Sequence, residues 1–357
     1  MAKLKAAVIF GGTSKEYKLS LATAAEVICA IPEDKYEVIC IGITKKGRWL
    51  YFPGDPSELT DGTWELNPDC TSAIISPDPL HRGIITIENG ETSIKRIDVA
   101  FPVLQGKRGA DGDVQGLLDM AGIPYVGSGP LAAASCMDKS HTHMVLDDYG
   151  IETAQWQLIT QREIGSIEER CREISASLGF PLIVKPANSG CSVGSTVAND
   201  IDMLEKAVKI AFLNDNKVLV EKYVTGRKLE AAVFGYDNPF SSYVGEIISN
   251  GKVYDPTEVN QSSGDDLEIP ADLPAETQNT IRDTAIRAYK ALGCKGLARI
   301  DFFLTADGKL LLNKIGTAPG LRKNSVYTKL MEHLGMTHEY LLDKLLEQAI
   351  ENAERSY

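Results

Sequence analysis

Four short stretches of the chain carry side chains suited to phosphate and carboxylate chemistry. In KPANSGCSVGST (185–196), a lysine ends a strand-like apolar run and a loop of glycines and hydroxyls follows. Such a loop can wrap a triphosphate with backbone N–H groups while Lys185 supplies a point charge. Glycine and serine loops are also common in proteins generally, and the stretch lacks the GK[ST] ending of a P-loop. In VLVEKYV (218–224), the Glu221 carboxylate and backbone groups beside Tyr223 and Val224 suit the edge of an adenine, although an amphipathic strand end accounts for the same pattern.

Arg299 and Asp301 stand two apart in ARIDFFL (298–304), so on a strand they share a face. A cation for an oxyanion and a ligand for Mg²⁺ then meet in one cleft. A partly buried salt-bridge network explains the pair equally well. The two readings differ on Arg299→Ala, which leaves the fold intact only if the arginine works in the cleft. The run LNKIGTAPG (312–320) follows, and its Lys314 stands where a second carboxylate would be wanted. At the amino end, FGGTSKEYKLSLATA (10–24) offers Glu16 on a glycine turn, able to hold an ammonium group, with Ser20 read as the N-cap of the next helix. No GxGxxG completes that turn, which argues against a dinucleotide site.

The elements that must position these residues alternate between strand and helix along the chain, the pattern of α/β layers. Strands are expected at 5–10, 36–43, 181–186, 217–224, 229–235, 243–248, 296–304 and 310–314. Helices are expected at 20–31, from 139 through Tyr149, through Leu213, at 275–292 and from His338, with an irregular polar stretch at 250–266. The glycine-dense region 101–137 reads as a short helix, a strand and a tight turn. These runs group into three units, 1–138, 139–226 and 227–357.

Composition narrows the partners. The 357 residues carry a formal net charge of −12 and no block of lysine and arginine, which disfavours a nucleic-acid groove or an anionic membrane surface. No apolar run reaches the length of a membrane helix, and MAKLKAAVIFGG runs into a strand rather than a signal peptide, so a cytoplasmic protein is expected. Seven scattered cysteines without a CxxC pair read as reduced core thiols. The HxH at His141 and His143 has no acidic or cysteine partner at ligand spacing, and a solvated helix face explains it better than zinc.

Taken together, VIFGGTSKEYKLSLATA, FPVLQGKRGADGDVQGLLDMAGIPYVGSG, CMDKSHT, PLIVKPANSGCSVG, VLVEKYVTG, GLARIDFF and LNKIGTAPG occur in the order of the D-alanine–D-alanine ligase family, which this chain resembles over essentially its whole length. That family includes ligases of vancomycin resistance that make D-Ala-D-Ser or D-Ala-D-lactate. The resemblance implies a three-domain ATP-grasp fold with a Rossmann-like amino-terminal domain, ATP and Mg²⁺ as cofactors, D-amino acids as substrates, a homodimer, and a role in peptidoglycan precursor synthesis. It implies that ATP phosphorylates the carboxylate of a first D-alanine, and that the amine of the second substrate attacks the acyl phosphate.

By the same resemblance, Glu16 holds the first ammonium, Lys139 and Lys185 contact phosphates, Ser192 and Gly194 belong to the phosphate loop, and Glu221, Lys222, Tyr223 and Val224 read adenine. Arg299 stabilises the oxyanion, Asp301 is a metal ligand, and Gly320 and Ser325 belong to the loop for the second carboxylate.

Other positions depart from the family pattern, and the departures cluster in the cleft. Lys314 replaces the glutamate that bridges both metals, and Gly316 the asparagine that completes the second. Lys228 replaces the ribose-binding glutamate, with Glu230 one strand period away. Val259 and Asn260 replace a lysine and a tyrosine of the closing loop, Cys191 a serine, Gln105 a histidine beside the substrate, and Ser189 and Ala110 glutamates. Asp301 next to a fixed cation is a poor recruiter of two divalent ions. The expectation is therefore a ligase-fold protein with impaired or lost catalysis. Two alternatives stand beside it: a ligase in which Lys314 supplies part of the metals' charge, and a non-catalytic binding or regulatory partner of an active ligase.

Overall fold

A computed structural model describes residues 2–188, 194–248 and 266–355. The sequence motifs come together because three sheets stack them along one side. The first sheet holds β1 (Leu4–Gly11), β2 (Tyr36–Ile43), β3 (Trp49–Tyr51), β4 (Thr71–Ile75), β5 (Gly83–Glu88), β6 (Glu91–Arg96) and β7 (Val99–Val103), in the order β6-β5-β4-β3-β2-β1-β7. Ala6–Phe10 of β1 are fully buried, as befits a central strand paired in parallel with both β2 and β7. Beyond β2 the sheet runs on as an antiparallel meander through β6, a part of the chain whose strands the sequence reading passes over.

Helix α1 (Tyr17–Ala30) packs on this sheet through Leu21, Ala24 and Val27, one face at helical spacing. The helix starts three residues before Ser20, so Ser20 is not its N-cap. Its buried hydroxyl instead accepts from Gly11 N (2.8 Å) and donates to the Val103 carbonyl (2.5 Å), pinning the glycine turn between β1 and β7. Short helices α2 (Ser57–Asp61), α3 (Asp113–Met120) and α4 (Pro130–Met137) complete this part of the chain. The strand read after α3 is reduced to an isolated Ala100–Tyr125 bridge.

Helix α5 (Lys139–Asp148) leads into the second sheet, capped by the Asp138 carboxylate, which accepts from Ser140 N and His141 N. The strands are β8 (Trp156–Thr160), β9 (Leu182–Pro186), β10 (Thr196–Ala198) and β11 (Lys217–Lys222), ordered β10-β9-β11-β8 and all antiparallel. Helices α6 (Ile167–Leu178) and α7 (Ile201–Ala211) cover one face, their Ile174, Leu204 and Val208 meeting Val184, Val218 and Val220.

The third sheet contains β12 (Arg227–Gly235), β13 (Phe240–Ser241), β14 (Gly245–Ile248), β15 (Asp266–Glu268), β16 (Gly296–Leu304) and β17 (Leu310–Gly316), in the order β15-β14-β12-β16-β17, with β13 beside β12. Helix α8 (Ala275–Ala291) packs its Ile281, Ala285 and Ala288 behind the sheet. Helices α9 (Val326–Glu332) and α10 (His338–Arg355) return to the first unit. Leu341, Leu342, Leu345 and Leu346 enter the same core as Val8, Phe10 and Leu21, and Lys35 and Tyr36 both reach Asp343.

Candidate ATP and substrate cleft

Period-two alternation lays the polar groups of the third sheet out as a grid. On β12, Lys228 and Glu230 share a face, and cross-strand register sets Glu230 against Asp301 and Asp301 against Lys314. One step along, Arg299 is opposite Gly316. A bulge after Asp301 leaves Asn313 unpaired. The two carboxylates are buried and already engaged. Arg299 donates to both Asp301 oxygens at 2.8 Å and lies 3.1 Å from Glu230, and the Lys228 ammonium is 3.4 Å from Glu230. The salt-bridge network expected of Arg299 and Asp301 is therefore present.

Burial raises the Glu230 pKa, with Arg299 and Lys228 only partly offsetting it. For Asp301 the same burial is outweighed by Arg299 and then Lys228 and Lys314, so its pKa is lowered. Lys314 is exposed, and the protein packed around its ammonium lowers its pKa, with Arg299 and Lys228 acting the same way against Asp301 and Glu230. Among the described residues Lys314 makes no ion pair within 4 Å, and no cluster of three or more His, Cys, Asp or Glu side chains is placed to hold a metal ion. Two carboxylates clamped by arginine and lysine do not fit a pair of Mg²⁺ ions.

A second group forms where the second and third sheets face each other. Lys185 on β9 reaches Glu221 on β11 at 2.6 Å, and the other Glu221 oxygen bonds His143 Nε2 at 3.1 Å. Burial alone would raise the Glu221 pKa, but Lys185 and His143 overcome it and hold it at about 2. His143 is itself buried and stacks on Trp156, centroids 5.3 Å apart, while His141 is exposed. The HxH therefore does not lie on a solvated face as a unit; the spacing of His143 and Leu146, three apart on α5, was the available signal for burial.

Beside this group, Ile183, Tyr223, Val224, Phe303, Leu311 and Leu312 line an apolar slot of the kind that takes a flat aromatic ring. Leu312 is tied across it by a bond from its N–H to the Glu152 carbonyl. Lys222 lines the slot as well. Its ammonium donates to the Gly179 and Phe180 carbonyls, and its N–H to Gln155. The Tyr223 N–H is taken by Pro181, so in this stretch Val224 is left as the N–H without a backbone acceptor among the described residues. Lys139 opens α5, its N–H bonded to the Ala187 carbonyl just after β9. Gly194 has φ +86°, and a Cβ there would lie 3.0 Å from Pro186 and Asn214.

The remaining positions gather where the first unit meets the loop after β17. The Glu16 carboxylate lies against Gly106, where a Cβ would be 2.6 Å from it, next to Gln105. Gln105 shares a cavity with Leu104, Gln115, Thr317, Ala318 and Pro319, and Ala110 is buried nearby. Gly320 sits so close to Ser325 that a Cβ would be 2.8 Å from its hydroxyl, which accepts from Arg322 N. Glu26 of α1 holds this loop through Arg322 Nε (2.7 Å) and Lys323 N (2.8 Å). Ser189, Cys191, Ser192, Val259 and Asn260 lie outside the described residues. Six other cysteines are free, but only Cys136, Cys171 and Cys294 are buried, and Cys29 is exposed.

Three sheets with an apolar slot between the second and third define an ATP-grasp-type protein. Family models described as "D-ala D-ala ligase N-terminus" and "D-ala D-ala ligase C-terminus" match residues 5–128 and 145–347. The chain is 41% identical over 354 residues to a D-alanine–D-alanine ligase of Thermoanaerobacter sp., covering 99% of this chain and 98% of that one. It is 38% identical over 361 residues to D-alanine–D-alanine ligase A of Salmonella typhimurium, covering 98% and 97%. Among solved structures, the VanG D-Ala:D-Ser ligase of Enterococcus faecalis superposes with a TM-score of 0.88 at 34% identity, covering 98% of this chain and all of that one. The D-alanine–D-alanine ligase of Bacillus anthracis complexed with ATP gives 0.73 at 26%, covering 99% and 100%. The chain belongs to the D-alanine–D-alanine ligase family.

Proposed function

We infer that this chain keeps the nucleotide and D-amino-acid clefts of a D-Ala-D-X ligase of peptidoglycan precursor synthesis, and that its phosphoryl-transfer step is impaired or lost. The observation that carries this reading is the grid on the third sheet, where Lys314 faces Asp301 and Gly316 faces Arg299. A lysine neutralises a phosphate oxygen, but it does not bridge two phosphoryl oxygens and polarise them as a metal pair does. Binding by the remaining residues is supported by their placement. The apolar slot takes the adenine, with Val224 N–H at its edge and Lys185 and Lys139 on the phosphate side. Glu16 faces the first ammonium, and Gly320 and Ser325 approach the second carboxylate. Arg299, held by Asp301 and Glu230, points its remaining donor capacity at the oxyanion.

The chain divides on this reading into units 1–138, 139–226 and 227–357, works in the cytoplasm, and pairs as a homodimer. The second substrate is not selected by a titrating group at 105, since Gln105 carries no proton that leaves near neutral pH. The test is release of ADP and phosphate from Mg-ATP with D-alanine, with and without D-serine, alongside mass detection of dipeptide. Folded protein giving no dipeptide supports the reading. Dipeptide formed in step with ADP at ordinary ligase rates overturns it and makes Lys314 a tolerated substitute for metal charge.

A further inference from the structure

The charges facing the cleft differ in sign from those a metal-bridged site requires. Among the described residues of the grid and of the Lys185–Glu221 pair, Lys185, Lys228, Arg299 and Lys314 provide four cations, and Glu221, Glu230 and Asp301 three carboxylates, which leaves one net positive charge. A glutamate at 314 would give three cations and four carboxylates, a net negative face that accepts a polyphosphate only after divalent ions are added. Here Lys314 stands directly across from Asp301, and among the described residues it has no carboxylate within 4 Å. Both carboxylates that remain are occupied by Arg299 and Lys228.

We propose that the cleft binds an adenine nucleoside polyphosphate as the free anion, and that Mg²⁺ weakens binding. This rests on the nucleotide reading above and adds the charge state of the ligand. A metal complex of ATP carries less negative charge to a positive surface, and it brings a divalent cation up against the Lys314 ammonium and the Arg299 guanidinium. The free tetra-anion instead offers the Lys314 ammonium a charge-assisted contact.

The experiment is calorimetric titration of the full-length protein with ATP, once in EDTA and once in excess Mg²⁺, with adenosine as a third probe. ATP is expected to bind about tenfold or more tightly in EDTA, the equivalent of one contact of about 1.4 kcal/mol. Adenosine is expected to bind equally in both. Tighter ATP binding in Mg²⁺ overturns the proposal while leaving the nucleotide cleft standing. No binding of ATP or adenosine under either condition overturns the nucleotide reading as well. Lys314→Glu is expected to reverse the preference, and Lys314→Met to remove the advantage of EDTA without reversing it. An unchanged preference in both variants, each checked for wild-type melting, would show that Lys314 is not the group responsible.

Discussion

Lys185→Met tests the central sheet most directly, because the lysine's partner cannot escape. The Glu221 side chain is 5% exposed, and the Lys185 ammonium lies 2.6 Å from it. Holding the Glu221 pKa at about 2 against an ordinary 4.5 corresponds to about 3 kcal/mol of favourable interaction with the ionised form. Removing one partner of a buried pair leaves an uncompensated charge, a loss of about 3–5 kcal/mol. At about 2 °C per kcal/mol for a chain of this size, thermal unfolding at pH 7 should begin about 6 °C or more below wild type.

The sign with pH follows from the depressed value. Glu221 stabilises the fold fully above its unfolded pKa near 4.5 and loses that contribution as pH falls towards 2. The difference between wild type and Lys185→Met should therefore shrink across the same window. Adding Glu221→Gln should recover much of the loss, since the buried charge goes with it. Scanning calorimetry of the three variants at pH 7 and pH 3.5 is the assay. A single variant that melts within 2 °C of wild type, or a double variant no better than the single one, would refute the reasoning.

Lys314→Glu with Gly316→Asn should raise metal-dependent ATP turnover at least about tenfold, since a Cβ at Gly316 meets nothing nearer than the Arg299 carbonyl at 3.8 Å; an ADP-release assay decides, and no gain would mean that the metal positions are not what limits chemistry. Arg299→Ala should lower stability by about 3 kcal/mol, measured by denaturant unfolding, because it abandons Glu230 and Asp301, whose side chains are 2% and 6% exposed. Wild-type stability of that variant would show that the two carboxylates do not depend on the arginine. Ser20→Ala should cost about 1–3 kcal/mol, leaving the Gly11 N–H and the Val103 carbonyl without this partner; a change below about 0.5 kcal/mol in the same measurement would argue that water replaces the hydroxyl.

The strands that carry the cleft were legible because their signals are local. Tyr36–Ile43 and Gly296–Leu304 appear with the bounds expected of apolar runs, and alternation alone puts Arg299 beside Asp301. What alternation does not reveal is register across strands. That Lys314 faces Asp301, or that Glu230 stands between Lys228 and Arg299, depends on pairings between segments separated by tens of residues. The expectation for Arg299→Ala is decided by this register, since the arginine neutralises two buried carboxylates.

Ser20 was misread in a related way. A serine before an apolar run looks like a cap until the partners at Gly11 and Val103 come into view. The meander from β3 to β6 went unread because its strands are short and half-exposed, with weak apolar periodicity.

The embrace of the first unit by α10 bears on how the chain is made. Tyr36 and Asp343, joined through the tyrosine hydroxyl, are 307 positions apart, and the leucines of α10 share one core with α1 and the first sheet. At about 5–20 residues per second, translation places some tens of seconds between the two halves of that core. Throughout that interval Val8, Phe10 and Leu21 lack the apolar cover they finally receive. The core of the amino-terminal sheet is therefore completed only once the last helix of the chain has been made.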